Sequence, residues 1–287
     1  MPYADLRRRR GGFTLVEVLV ALLISTLLAA VIFQMMSGQS RIVAVQSAKE
    51  EAQQNVRGAL EVISSELRGA VPAGILAAEA QSLTFMQPRM WGFVCGGSLN
   101  TVTALFPVTG AIVPTPGEAT GVVVNQGTLQ TPNWAPAPPL RVQVTRIADV
   151  GGPTWGDCAG LSASGSLRAY EIDAPGIGAL AVPQRTVMVY SMTRYNLAEV
   201  GGAWWLQRSN GMDNGQYVLQ PLAGPVEHAK VGFTYFGADP NVALATPVAT
   251  PGNVRMVRVQ VVTNSTQTLN GRTQRDSGAV TVMLRNN

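Results

Sequence analysis

The 24 residues from Phe13 to Met36 carry a single charged side chain, Glu17. No other feature constrains the fold as strongly. An apolar run of that length has to satisfy its backbone amides from within, and a helix does so. At about 1.5 Å per residue such a helix is roughly 36 Å long, enough to cross a bilayer core of about 30 Å. Four arginines, Arg7 to Arg10, stand before the run and are followed by Gly11 and Gly12. Arginines in that position predict a cytoplasmic N-terminus and place everything after Met36 on the far side of the membrane.

The formal charge of +4 belongs mostly to the segment before the run. Without Asp5 and Arg7 to Arg10, 17 basic side chains face 16 acidic ones. A nearly neutral remainder argues against nucleic acid as a partner.

Simpler explanations leave parts of the N-terminus over. A cleavable secretory signal needs an apolar core of about 7–15 residues and a small-residue cleavage site. This run is longer, and Gln34-Met35-Met36 is a poor site. A plain anchor accounts for the arginines and the length but not for Gly11-Gly12 or Glu17. Thr14 and Glu17 fit a T-x-x-E capping box, with the carboxylate at the positive end of the helix dipole. Even so, an ionisable group in an apolar run costs a few kcal/mol and usually has a partner.

No proline occurs between Phe13 and Val71, so the helix is expected to continue past the membrane. From Arg41 it becomes amphipathic. Ile42, Val45, Ala52, Val56, Ala59, Ile63 and Leu67 recur at helical spacing. Gly69 and Pro72 supply the stop, which predicts a helix over residues 14–69, roughly 84 Å long. Gly38 and Gly58 are its weak points. The stripe is short and rich in alanine, which suits packing on the chain's own sheet better than a free coiled coil.

Beyond Pro72 the pattern changes to strands and turns. Strands are expected at 82–86, 121–124, 140–150, 167–172, 186–195, 204–208, 216–220, 231–236, 254–263 and 279–285. Val257, Val259 and Val261 share one face, as do Val280, Val282 and Leu284. Asp213-Asn214-Gly215 reads as a hairpin turn. Residues 107–139, rich in proline, threonine and glycine, read as a surface excursion.

The two cysteines, Cys95 and Cys158, have neither zinc-site nor C-x-x-C spacing. In an exported domain a disulfide is their natural state, closing a loop of about 64 residues and stabilising the fold by roughly 4 kcal/mol. Two free buried thiols are the alternative.

Residues for catalysis are hard to assemble. His228 is the single histidine, beside an expected strand, where packing is the ordinary role. No paired carboxylates stand out. Asp213-Asn214-Gly215 lacks the further acids of a calcium loop. The Gly-Gly pairs at 96–97, 151–152 and 201–202 lack phosphate-loop context. Strand alternation predicts that one of Trp204 and Trp205 is buried and the other exposed. The expectation is a protein that is not an enzyme, with no cofactor and no metal.

The stretch GGFTLVEVLVALLIS resembles the N-terminus of type IV prepilins and of type II secretion pseudopilins, and accounts for every part at once. The resemblance implies cleavage by a prepilin peptidase between Gly12 and Phe13 and N-methylation of Phe13. It also implies that Glu17 pairs with the N-terminal amine of a neighbouring subunit during assembly, which gives the carboxylate its partner. Residues 1–12 would be the leader, 13–36 the transmembrane and filament-core helix, 37–70 its amphipathic continuation, and 71–287 a β-rich domain outside the inner membrane. The implied fold is α+β: a long N-terminal helix packed on an antiparallel β-rich C-terminal domain.

The segment AQQNVRGALEVISSELRGA is similar to PilW-type minor pilins. So are the later stretches TVMVYSMTRYNLAEVGGAWWLQRSN, PVEHAKVGFTYFG, RMVRVQVVTN and VTVMLRNN. Partners implied are other minor and major pilins, met through the N-terminal helix, and the inner-membrane assembly platform. A pseudopilin J-like subunit of a type II secretion system is the near alternative. A pilus-tip adhesin or DNA-uptake receptor is the alternative of another class.

Overall fold

The computed structural model describes residues 14–71, 74–109, 113–114, 120–125, 142–143, 146–151, 166–177, 185–209, 211–213, 216–269 and 272–284. Helix α1 runs from Leu15 to Arg68. Thr14 caps it with an extended backbone, and its side chain accepts a hydrogen bond from the Glu17 amide at 3.3 Å. At the other end the Gly69 amide bonds back to the carbonyls of Glu66 and Leu67. Its 54 residues make about 81 Å of helix. It passes Gly38 and Gly58 without interruption, since tertiary packing and neighbouring turns outweigh a glycine's modest helix penalty.

The strands follow as β1 (Ile75–Ala78), β2 (Ser82–Gly97), β3 (Thr101–Pro107), β4 (Thr120–Val124), β5 (Val142–Gln143), β6 (Arg146–Gly151) and β7 (Leu167–Asp173). After them come β8 (Thr186–Val200), β9 (Ala203–Ser209), β10 (Met212–Asp213), β11 (Gln216–Tyr217), β12 (Gln220–Ala223), β13 (Gly232–Phe236), β14 (Met256–Leu269) and β15 (Arg272–Met283). Every named pairing is antiparallel. A helix followed by an antiparallel β-rich domain is the α+β, pilin-like layout expected.

Two long strands, β2 and β8, pair from Ser82↔Asn196 to Phe93↔Thr186 and form the spine of the larger sheet. Their outer edges change partner along the way. On β2, β1 gives way to β3; on β8, β9 gives way to β4. Pro88 sits at the changeover, where the β2–β8 register shifts between Pro88 and Met90. A proline has no amide to give the ladder, and a bulge is where a strand tolerates one. The sheet therefore has two lobes with separate cores. The lobe under the helix gathers Leu83, Phe85, Tyr195, Leu197 and Leu206. The distal lobe gathers Met90, Val94, Val102, Phe106, Val122, Ile172 and Val187.

Strands β13, β14 and β15 form a second, three-stranded sheet against the same helix. Its inner face is the alternating valine set, with Val257 opposite Val282 and Val259 opposite Val280. The helix offers Ala48, Ala52, Val56, Ala59, Ile63 and Leu67 to this core. Alanines at the contact allow close approach. Thr263 donates its hydroxyl hydrogen to the Ala52 carbonyl at 2.8 Å.

The buried stripe begins at Ala48, later than its periodicity suggested. Ile42 is 60% exposed, because the three-stranded sheet reaches only its hairpin end that far along the helix. Strands β1 and β3 lay outside the expected set. β1 is four residues that pair on the flank of β2, and β3 is bounded by Pro107. β1 is too short to show a period; β3 does have one, with Val102, Ala104 and Phe106 facing the distal core. Met212 pairs with Tyr217 and Asp213 with Gln216, flanking Asn214 and Gly215, which lie outside the described residues.

Candidate functional site at the N-terminal helix

Among the described residues, the first half of α1 has no cover from the rest of the chain. Leu15, Leu19, Leu22, Leu23, Leu27, Val31 and Phe33 are all exposed, Leu15 to 79% and Phe33 to 74%. None of its most apolar membrane-length window is buried, and its length and composition suffice to cross a bilayer. A soluble protein does not leave a surface of this kind in water. It fits either lipid or a bundle of similar helices, which present the same apolar environment.

Glu17 sits in the first turn of this surface, and its side chain is exposed. The Thr14 hydroxyl holds the Glu17 amide, and the Val18 amide bonds to the Thr14 carbonyl at 3.2 Å. The cap thus fixes where the helix begins, while the carboxylate projects outward at the positive end of the dipole. Among the described residues it forms no ion pair. Gly12 and Phe13, the expected cleavage and methylation positions, lie outside the described residues, so no contact between Phe13 and Glu17 is described.

Cys95 is buried on β2 and takes part in a disulfide. Its expected partner Cys158 lies outside the described residues.

Away from the helix, the other candidate residues occupy structural positions. The His228 ring lies over Trp204 with 3.9 Å between centroids, and its Nε2 lies 3.1 Å from Gln81 Oε1. Trp204 and Trp205 do not divide into one buried and one exposed. Both are half-buried: Trp204 is covered by His228, and Trp205 lies beside Gly224. Loops crossing over the sheet edge override simple alternation here. Gly201 and Gly202, at φ 62° and 79°, close the β8–β9 turn, a conformation that favours glycine. Gly96 and Gly97 end β2. Among the described residues no three His, Cys, Asp or Glu side chains gather as a metal site.

Sequence reasoning missed one polar cluster. Glu66, near the end of α1, accepts hydrogen bonds from the Tyr195 hydroxyl on β8 and from Arg208 Nε on β9, the latter at 3.0 Å. Burial, then the Glu66 carboxylate, pushes the Tyr195 hydroxyl far above its ordinary range. Burial works against the Arg208 charge, but Glu66 outweighs it and raises its pKa. The cluster ties the end of the helix to the sheet. Its members are 129 and 142 residues apart, and no local pattern marks them.

The family model described as the prokaryotic N-terminal methylation motif matches residues 7–33. No curated protein and no solved structure matches the chain. The motif, carried on an exposed apolar helix ahead of a β domain, marks a type IV pilin-like or pseudopilin-like protein. It implies processing by a prepilin peptidase and assembly with other pilins in a membrane-anchored system.

Proposed function

We propose that the chain is a minor pilin, most like the PilW kind, whose work is assembly rather than catalysis. The observation that carries this reading is the exposed apolar half of α1, with one carboxylate in its first turn and a methylation motif across it. Before processing it rests in the inner membrane with its C-terminal domain on the outer side. The peptidase cuts after Gly12 and frees the amine of Phe13, which is then methylated. The helix next moves from lipid into a bundle of pilin helices. Both surroundings are apolar, so the transfer costs little hydrophobic energy. Glu17 gains a cationic partner, the amine of an adjacent subunit, and a charge paired in an apolar setting is far better off than one alone. The β domain then forms the outer surface, in a priming or tip complex with other minor pilins, and a Cys95–Cys158 disulfide closes its distal lobe. The test is a strain lacking this chain, complemented with the wild type or with Glu17→Ala. The reading expects filament assembly to fail in the deletion, to return with the wild type, and not to return with the variant. Normal piliation in the deletion contradicts it.

A further inference from the structure

The β14–β15 hairpin runs down the helix toward the membrane half. Thr263 bonds to the Ala52 carbonyl, Thr266 to the Glu51 carboxylate at 2.7 Å, and Gln267 borders a groove with Met36, Gln39, Ser40, Val43 and Ser47. The strands near this end are braced, since Ser265 Oγ donates to the Gln267 carbonyl and accepts from the Gln274 amide. The end of the hairpin therefore stands level with the helix just beyond its apolar run. Arg41 is five residues past Met36, about 8 Å of helix. The headgroup layer of a bilayer is about 5–8 Å thick on each side, and an arginine stem adds further reach.

Between Met36 and Ala48 on the helix, and between Thr266 and Thr273 on the hairpin, every charged side chain is an arginine. On the helix, Arg41 is the sole charged residue between Glu17 and Lys49. On the hairpin, no charged residue occurs between Arg258 and Arg272. Arg41 and Arg272 are both exposed, and the nearest acids on the helix, Glu50 and Glu51, stand about 14 Å further from the membrane. We propose that the β14–β15 hairpin end and Arg41 form a membrane-resting surface that binds anionic lipid headgroups and sets the β domain upright on the bilayer. The inference rests on reading α1 as a membrane anchor. Basic side chains at an anionic surface each strengthen attachment by roughly fivefold.

The experiment is hydrogen exchange on the full chain in lipid nanodiscs, either phosphatidylcholine alone or phosphatidylcholine with phosphatidylglycerol. Amides of residues 266–269 and 272–275 are expected to exchange several-fold more slowly in the anionic discs. The difference should vanish in Arg41→Gln/Arg272→Gln, whose side chains are exposed and leave the fold intact. Equal exchange in both lipids, or protection that survives the double substitution, overturns the proposal while residues 15–36 stay protected. Release of the chain from the discs overturns the anchor reading and the headgroup contact together.

Discussion

Arg208 grips Glu66 through both its Nε and its Nη2, which stand 3.0 Å and 2.5 Å from Oε1 of the carboxylate. The pair joins the last turn of α1 to β9, and the Tyr195 hydroxyl joins the same carboxylate from β8. Together these bonds tie the last turn of the helix to the spine of the sheet and to its neighbour β9.

Glu66→Ala leaves the buried Tyr195 hydroxyl and the half-buried Arg208 without their acceptor. The loss expected is about 2–3 kcal/mol, the range for hydrogen bonds to charged groups with their partners left unsatisfied. A double-mutant cycle with Arg208→Ala, read from denaturant midpoints in detergent, should show strong coupling. Additive losses would mean that the pair carries nothing beyond its separate packing.

Tyr195 and Tyr235 are both held neutral by burial, Tyr195 with help from Glu66 and Tyr235 with help from the Glu79 charge. Tyr235 donates to the carbonyls of Glu79 and Ser82 at 2.8 and 3.0 Å. Their folded-state values lie above the unfolded ones, so their contribution is complete below about pH 10, where an unfolded tyrosine ionises. It is lost as pH rises from there through the folded-state values. Tyrosinate absorbance should show these two of the six tyrosines ionising only as the chain unfolds. Smooth titration of all six near pH 10 with the fold intact would contradict this.

Gly92 lies on β2 against the β3 backbone at Leu105. A Cβ there would stand 2.1 Å from the Leu105 carbonyl oxygen, which belongs to backbone and cannot step aside. Gly92→Ala is expected to destabilise the distal lobe by about 3 kcal/mol, at the upper end of ordinary overpacking. Limited proteolysis should then open the distal lobe before the one under the helix. Wild-type resistance would show that the strands have room to separate.

The N-terminal half of the account was legible because the signals are local. An apolar run with one carboxylate, a T-x-x-E cap and a stop at Gly69 are each contained in a few turns, and α1 starts and ends within a residue or so of those marks. The valine alternation of β14 and β15 was equally plain. What the sequence hid depends on distant partners. Ile42 has the spacing of a core residue, but only the end of the β14–β15 hairpin comes that far, and it leaves Ile42 uncovered. β1 is a strand chiefly because β2 offers it an edge. The Glu66 cluster assembles only when three elements meet. For the candidate site, Glu17 and its cap could be read in advance; the crossing of the loop that lays His228 on Trp204 could not.

Thr14 and Glu17 have separable roles. Thr14→Val removes the cap and should loosen the first turn by about 1 kcal/mol, seen as faster amide exchange at residues 17 and 18. Glu17→Gln keeps the helix and the length of the side chain but removes the charge. It should leave cleavage after Gly12 unchanged while cutting incorporation into filaments. A Glu17→Gln chain that enters filaments normally would show that the carboxylate has no pairing role.

The central claim is that this chain is a processed pilin, and intact mass of the membrane-extracted protein tests it most directly. In cells with an active prepilin peptidase the account predicts residues 13–287 plus one methyl group, with two hydrogens gained on reduction for a Cys95–Cys158 bond. Without the peptidase it predicts the uncut chain. An uncut chain in the presence of active peptidase would contradict the account and leave Glu17 as a capping residue of an ordinary anchor helix.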